Sequence, residues 1–485
     1  MYRKWFGNLE FVVNWQNAGE ELYNFAKQLY GSPTRIIKNA DYYFREGITW
    51  SDVTSGSTAF RYMPKGTIFD ATAHCAFFDS MEEQFTYLAY LNTKVIDLLV
   101  SILNPTLHFH VGYFRMLPSL SKNLSAHRSI ALSALEIAKN DWNFYKTSWD
   151  FSILPLLTPN LHKASLQNHY AGLRESWHKM ALEIQQLEEE NNRIFIEAYG
   201  LQDELKPDVP IEEITLTCNP YYRYGGNKTD EELEAQLQTD TIKELISYAI
   251  GCMMGRYSLD QPGLIYAHEG NIGFAPERYK TFPADDDAII PVMDRDWFED
   301  EATHRFVAFV KTAWPEQYLD ENLRFVAESL GPKNNEAPVE TIRRYISTTF
   351  FKDHLRMYKR RPIYWLFSSG KHKAFECLVY LHRYNESTLS RMRSLYVTPL
   401  QGNFSARMQY LQNELDAAPS ASAKKKLQKE MDLLGKKQTE LAAFDDQLRH
   451  LADQKIILDL DDGVKVNYGK FGTLLAETKA VTGKK

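Results

Sequence analysis

Four cysteines in 485 residues, at Cys75, Cys218, Cys252 and Cys377, lie too far apart to offer a CxxC or Cys/His cluster with the ligand spacing of zinc. They read as reduced, mostly buried thiols, the state expected in the cytoplasm. No run of eighteen or more apolar residues occurs, and the amino-terminal MYRKWFGNLEFVVNW holds no apolar stretch of signal-peptide length. Neither membrane insertion nor secretion is expected. Positive charge is not in excess either: the formal net charge of −7 argues against a protein that coats nucleic acid over its whole surface. There is no GxSxG nucleophile elbow, no PD…ExK nuclease spacing and no glycine-rich strand-turn-helix. Independent hydrolase activity is therefore not expected.

What is present is an ordinary globular composition, 44% apolar and 25% charged, rich enough in aromatics (13%) for well-packed cores; the length suggests two or three domains. The charge is unevenly placed. From Arg343 to Arg393 there are twelve basic residues (Arg343, Arg344, Lys352, Arg356, Lys359, Arg360, Arg361, Lys371, Lys373, Arg383, Arg391, Arg393) against three acidic ones (Asp353, Glu376, Glu386). That segment carries +9 and leaves −16 for the remainder.

The pattern along the chain predicts an α+β protein. Residues 47–70 alternate β-formers with the turn residues Gly56, Pro64 and Gly66, which predicts a small sheet. Residues 82–103 have helical periodicity and stop before Asn104-Pro105. Leu173, Trp177, Met180, Ile184, Leu187, Asn191 and Ile194 alternate steps of four and three within 166–199, a helix of roughly 50 Å at ~1.5 Å per residue. Phe404, Met408, Leu411 and Leu415, then Leu427, Met431, Leu434, Leu441 and Leu448, repeat those steps either side of Pro419-Ser420, so 404–451 is the expected partner of 166–199 in a helical bundle or coiled coil. The resulting order is a mixed domain over 1–125, a helical spacer over 126–205, an α-rich mixed domain over 206–400 containing the basic segment 343–393, a helical hairpin or coiled coil over 401–458, and a tail over 459–485. The spacer reading is preferred for the coiled coil, with dimerisation through it the alternative.

Few clusters carry chemistry. Lys359-Arg360-Arg361, followed by Ser368-Ser369-Gly370-Lys371-His372-Lys373, combines cations, hydroxyls and a glycine that lets the main chain approach closely. It suits contact with a phosphate backbone, though a solvated basic face would look the same and the GxxxxGK[ST] spacing is not met. The run Asp285-Asp286-Asp287, in FPADDDAIIPVMDRDWFEDE (282–301), reads as solvated surface rather than a metal site. His108 and His110 would face one side of a strand, but with no third ligand near them in sequence no metal is expected. Trp50 reads as core.

The stretches YWLFSSGKHKAFECLVYLHRY (364–384), SYAIGCMMGRYSLDQPGL (247–264), NRIFIEAYGLQDEL (192–205), DDGVKVNYGKF (461–471), WFGNLEFVVNW (5–15) and ITWSDVTSGSTAFRYMPKGTIFD (48–70) resemble the PglX adenine-specific DNA methyltransferases of type 1 BREX phage-defence systems. They are more loosely similar to the fused methyltransferase-specificity proteins of type IIG restriction systems. The resemblance runs essentially end to end but covers the downstream, C-terminal portion of that family, whose members begin with a methyltransferase domain. It implies that S-adenosylmethionine binds in the full-length family and that this chain has no cofactor of its own. Asn219-Pro220-Tyr221-Tyr222 matches the family's Asn/Asp-Pro-Pro-Tyr/Phe catalytic loop only superficially, because Tyr221 stands where the second proline belongs. It reads as a structural turn.

The resemblance further implies that 1–125 acts as a target-recognition domain, with double-stranded DNA, the N-terminal methyltransferase domain and other BREX proteins as partners. Arg35, Lys38, Arg45, Arg61 and Lys65 are its candidate DNA contacts, joined by Lys359, Arg360, Arg361, Ser369, Lys371 and Lys373 from the basic segment. The chain alone is expected to be catalytically inactive. An alternative expectation is an interaction scaffold of the defence complex, in which DNA contact is secondary.

Overall fold

The computed structural model describes residues 2–53, 57–104, 106–119, 127–158 and 164–483. Gly56, Pro105 and the expected boundary at 125 lie outside the described residues. The chain is mixed α and β, dominated by helix, and falls into two compact units: Met1–Phe151 with Ala171–Leu237, and Ser152–Tyr170 with Gln238–Lys485.

In the first unit, β1 (Gly47–Ser51), β2 (Phe60–Met63) and β3 (Ala73–Ala76) form an antiparallel sheet in the order β2-β1-β3. Trp50 is fully buried, stacks on Phe114 with ring centroids 4.5 Å apart, and donates its indole N–H to the Phe109 carbonyl at 2.9 Å. The single helix expected over 82–103 is two, Met81–Leu91 and Lys94–Leu103, bent by 73°. Two side chains account for the break. Asn92 turns its side chain onto both backbone groups of Phe60 in β2 (3.1 and 3.0 Å), and Thr93 caps the second helix by accepting from Ile96 N–H. Among the described residues, no single helix is long and apolar enough to cross a membrane.

The helix Leu166–Tyr199 is continuous over 34 residues. The polar positions of its 171–199 part are taken up by partners within the first unit. Glu188 accepts from Lys4 Nζ and Trp5 Nε1, both at 2.8 Å, and buried Asn191 donates to the Ala89 carbonyl at 2.7 Å. Residues 404–451 belong to helices Thr398–Ala417 and Ala421–Asp453, which pack on each other with Phe404, Leu411, Leu434, Leu441 and Leu448 buried. The turn between them is fixed by Ser420, which caps the second helix by accepting from Ala423 N–H at 3.2 Å.

In the second unit, β4 (Ile289–Pro291), β5 (Tyr364–Ser368) and β6 (Glu376–Tyr380) form an antiparallel sheet in the order β4-β6-β5. β5 and β6 read as near-continuous apolar runs because both faces are covered. Trp365 packs edge-on against Tyr468 and Phe471, and Ala476 N–H bonds the Leu366 carbonyl at 2.9 Å, so 459–483 closes over β5.

Candidate nucleic-acid interface

The basic residues of 359–373 do not form one cluster. β5 separates them, so Lys359-Arg360-Arg361 precede the strand and the Ser369–Lys373 turn follows it. The first group arises where the helix Phe350–Met357 ends. Lys359 and Arg360 adopt left-handed backbone (φ 50° and 63°), and Arg360 N–H closes a bond of 2.7 Å to the Leu355 carbonyl, a capping turn usually given to glycine. Three exposed cations therefore sit at a helix C-terminus, where the partial negative charge favours them.

The turn at the other end is held by a carboxylate. Glu440, from the helix Ala421–Asp453, accepts from Ser369 Oγ at 2.7 Å, His372 N–H at 2.7 Å and Ala374 N–H at 3.1 Å. Burial by itself would raise the Glu440 carboxyl. The bonds from His372, Ser369 and Ala374 outweigh burial and hold it below its ordinary value. Gly370 is needed here: at φ +127° with Glu440 Oε2 3.4 Å from where a Cβ would stand, a side chain would be strained and crowded. The hydroxyl and amides expected to meet a phosphate thus already hold an internal anion, and Ser369 leaves the set of candidate contacts. Lys371 remains exposed at the tip.

Acids outside the segment offset part of the +9 on folding, at Arg343, Arg344 and Arg393, while Arg356 and Lys373 pair with acids already counted in that sum. Arg343 pairs with Glu301 (2.8 Å) and Asp296, Arg344 with Glu336 through two bonds of 2.8 Å, Arg393 with Asp445 at 2.7 Å, Arg356 with Asp353 at 3.2 Å and Lys373 with Glu376 at 2.8 Å. Arg383 is buried, bonds the carbonyls of Asp285 (2.6 Å) and Asp286 (2.9 Å), and lies 3.6 Å over the Phe274 ring. In the acidic run it grips, Asp286 is exposed as expected, but its two neighbours are not. Asp285 and Asp287 are buried because their carboxylates cap the turn into β4, accepting from Ala288 and Ile289 N–H, each at 2.8 Å.

In the first unit Arg61 is 6% exposed, donating to the Arg3 carbonyl (3.3 Å) and Ser51 Oγ (3.2 Å); burial and then the Arg3 charge press its pKa down to about 10. A guanidinium so enclosed is structural, which removes Arg61 from the candidates. Arg35, Lys38, Arg45 and Lys65 are exposed. Arg35 lies over the Tyr30 ring (5.7 Å), and Arg45 lies over both Tyr42 (5.1 Å) and Phe77 (5.4 Å), whose rings contact each other. Reciprocal bonds of Phe44 with Thr67 and Gly66 bring Arg45 and Lys65 onto neighbouring strips, and Tyr42 and Phe44 are exposed beside them. Cations interleaved with exposed rings are the composition that binds a nucleic-acid chain by charge and stacking.

Asn219 does not have the freedom of a catalytic loop residue. It is buried, its amide donates to the Ile211 (2.7 Å) and Ile214 (2.9 Å) carbonyls, and its oxygen caps the helix Pro220–Tyr224. The HxH pair gains what the sequence did not reveal. Asp52, just past β1, takes His108 Nδ1 at 2.8 Å and His110 Nδ1 at 2.9 Å, while His74 Nε2 of β3 adds a third contact at 3.1 Å. A further group, Asp296, Glu301 and His304, also has metal-ligand spacing, but the Arg343 guanidinium already pairs with its two carboxylates.

No family model matches this chain. Two curated proteins do. It is 48% identical over 492 residues to the adenine-specific methyltransferase BrxX of Escherichia coli O9:H4 (strain HS), a match covering 99% of this chain and 40% of that protein. It is 35% identical over 488 residues to the adenine-specific methyltransferase PglX of Lacticaseibacillus casei (strain Zhang), covering 99% of this chain and 38% of the relative. The chain thus spans about two fifths of the length of the curated relatives it matches.

Proposed function

We propose that this chain is the C-terminal, DNA-recognition and duplex-binding part of a site-specific adenine-N6 DNA methyltransferase of a BREX-type defence system. S-adenosylmethionine binding and methyl transfer belong, in this reading, to the part of the relatives that the chain does not span. The observation that carries it is the match along 99% of the chain to two adenine-specific methyltransferases, of which it covers 40% and 38%. The lack of a glycine-rich donor turn, and an Asn219 spent on internal carbonyls, support the division of labour. Arg35, Lys38, Arg45 and Lys65 contact DNA from the first unit; Lys359, Arg360, Arg361 and Lys371 contact it from the second. Lys373 is held by Glu376 and contributes less.

Fluorescence anisotropy of a labelled duplex, titrated with the chain across a salt series, tests this. Binding that weakens steeply with salt is expected, together with no heat from S-adenosylmethionine in calorimetry. Tight methyl-donor binding by the chain alone, or salt-insensitive duplex binding, would refute it. The internal pairing of Arg343, Arg344, Arg356, Lys373 and Arg393 favours a second reading, a scaffold that docks other defence proteins; that reading predicts no measurable duplex affinity at moderate salt.

A further inference from the structure

The cluster around Asp52 belongs to neither basic surface. Its backbone is built for convergence: Asp52 continues from β1, its carbonyl accepts Phe109 N–H at 2.7 Å, and Val53 makes a bridge with His108. Phe109 therefore points into the core, fully buried, while His108 and His110 emerge on the opposite side of the same extended segment. Both imidazole rings are more than half exposed, at 53% and 58%, yet turn back onto a carboxylate that is 12% exposed. The two rings lie nearly parallel, 16° apart.

We propose that Asp52, His108 and His110 form a binding site for a first-row divalent metal ion, with zinc the best fit. Two imidazole nitrogens and one carboxylate are a ligand set that zinc, cobalt and iron accept, and one that calcium and magnesium do not favour. In a tetrahedral zinc site, ligand atoms about 2.0–2.1 Å from the ion stand roughly 3.3 Å from one another. His108 Nδ1 meets Asp52 Oδ2 at 2.8 Å and His110 Nδ1 meets Oδ1 at 2.9 Å, so each of these two pairs needs to open by a few tenths of an ångström, and one ligand atom from each residue lies within 4.8 Å of the others. His74, contacting Asp52 Oδ1 at 3.1 Å and packed beside Trp50, is a positioning residue that fixes the carboxylate. The exposed side of His108 and His110 gives the ion an entry path and leaves the fourth position open to solvent. The ion's effect is to staple the 107–110 segment to the β1/β3 edge.

The test is a cobalt(II) titration of the full chain after chelation, followed by visible d–d absorption, with zinc competition and metal analysis of the gel-filtered protein. One ion per chain is expected. The exposed-site variant H108A/H110A should lose binding by on the order of 100-fold or more, H74A by about 10-fold, and H304A at the other cluster not at all. Circular dichroism in chelator checks that each variant is folded. A readout on the unaltered chain stands beside these: zinc should protect His108 and His110, but not exposed His268, from diethyl pyrocarbonate mapped by mass spectrometry. Stoichiometric binding that survives H108A/H110A or vanishes in H304A, an absence of saturable binding, or undiminished modification of His108 and His110 would each overturn the proposal.

Discussion

Replacing Glu440 with alanine removes one carboxylate and strands three donors: the Ser369 hydroxyl and the amides of His372 and Ala374. Hydrogen bonds to a charged group contribute about 1.5–3 kcal/mol each, at the low end where water can substitute, and bonds sharing one acceptor are not additive. A loss of roughly 2–4 kcal/mol is therefore expected, concentrated in the β5–β6 turn. Hydrogen exchange read by mass spectrometry is the appropriate assay, because a chain of two compact units gives no assurance of a single unfolding step. The amides of 372 and 374 should exchange much faster in the variant, while those paired between β5 and β6 change little.

The pH dependence has a definite sign. Glu440 is held below its ordinary 4.5, so the stability it contributes is present above that value and is lost as pH falls through the lower folded value. The difference between parent and Glu440→Ala should be flat from pH 6 to 8 and shrink in acid. Glu440→Gln should fall between the two, since its amide nitrogen would face a backbone N–H. Unchanged protection of 372 and 374 in the alanine variant would refute the clamp.

Asp287 should behave in the opposite sense. Burial first, and then the neighbouring Asp285, push its carboxyl up to about 7 from 3.8, so its contribution is fully present below about pH 3.8 and is lost as pH rises through about 7. Asp287→Asn keeps an acceptor for Ile289 N–H, and in thermal melts it should gain on the parent between pH 5 and 8; a constant offset across that range would contradict the burial argument. Arg383→Lys cannot hold the Asp285 and Asp286 carbonyls together while lying flat on Phe274, and should cost about 3 kcal/mol in denaturant titrations despite keeping the charge. A neutral outcome would mean that the guanidinium geometry is dispensable.

Periodicity made the regular elements legible. Alternation in GITWS and FRYM marks β1 and β2, and the four-three steps from Leu173 to Ile194 mark a helix observed over Leu166–Tyr199. What periodicity could not convey is which distant group completes a local feature. The break at Asn92-Thr93 depends on Phe60, and the anion in the 369–374 turn comes from residue 440. Asp52 lies 56 residues before His108, so the HxH pair looked unsupported. The Arg343–Arg393 count misled for the same reason: its cations meet Asp296, Glu301, Glu336 and Asp445, none of which is in the segment.

Once those pairs are discounted, the candidate contacts of the second unit fall at two points, Lys359-Arg360-Arg361 and Lys371, with buried β5 between them, and Lys352 is a further exposed cation of the segment. Five strand residues span about 13 Å, beyond the 7–10 Å within which substitutions couple. If both points touch phosphates, each cation removed should shallow the salt dependence of duplex binding by about 0.9 in log–log slope, and Arg360→Ala with Lys371→Ala together should shallow it by about twice that, with additive losses of affinity. If only one point touches, the double variant will match one single variant and the other will match the parent. Should both single variants bind as the parent does, the charges left exposed after folding are solubilising only, and the DNA contact must be sought among Arg35, Lys38, Arg45 and Lys65, where exposed rings accompany the cations.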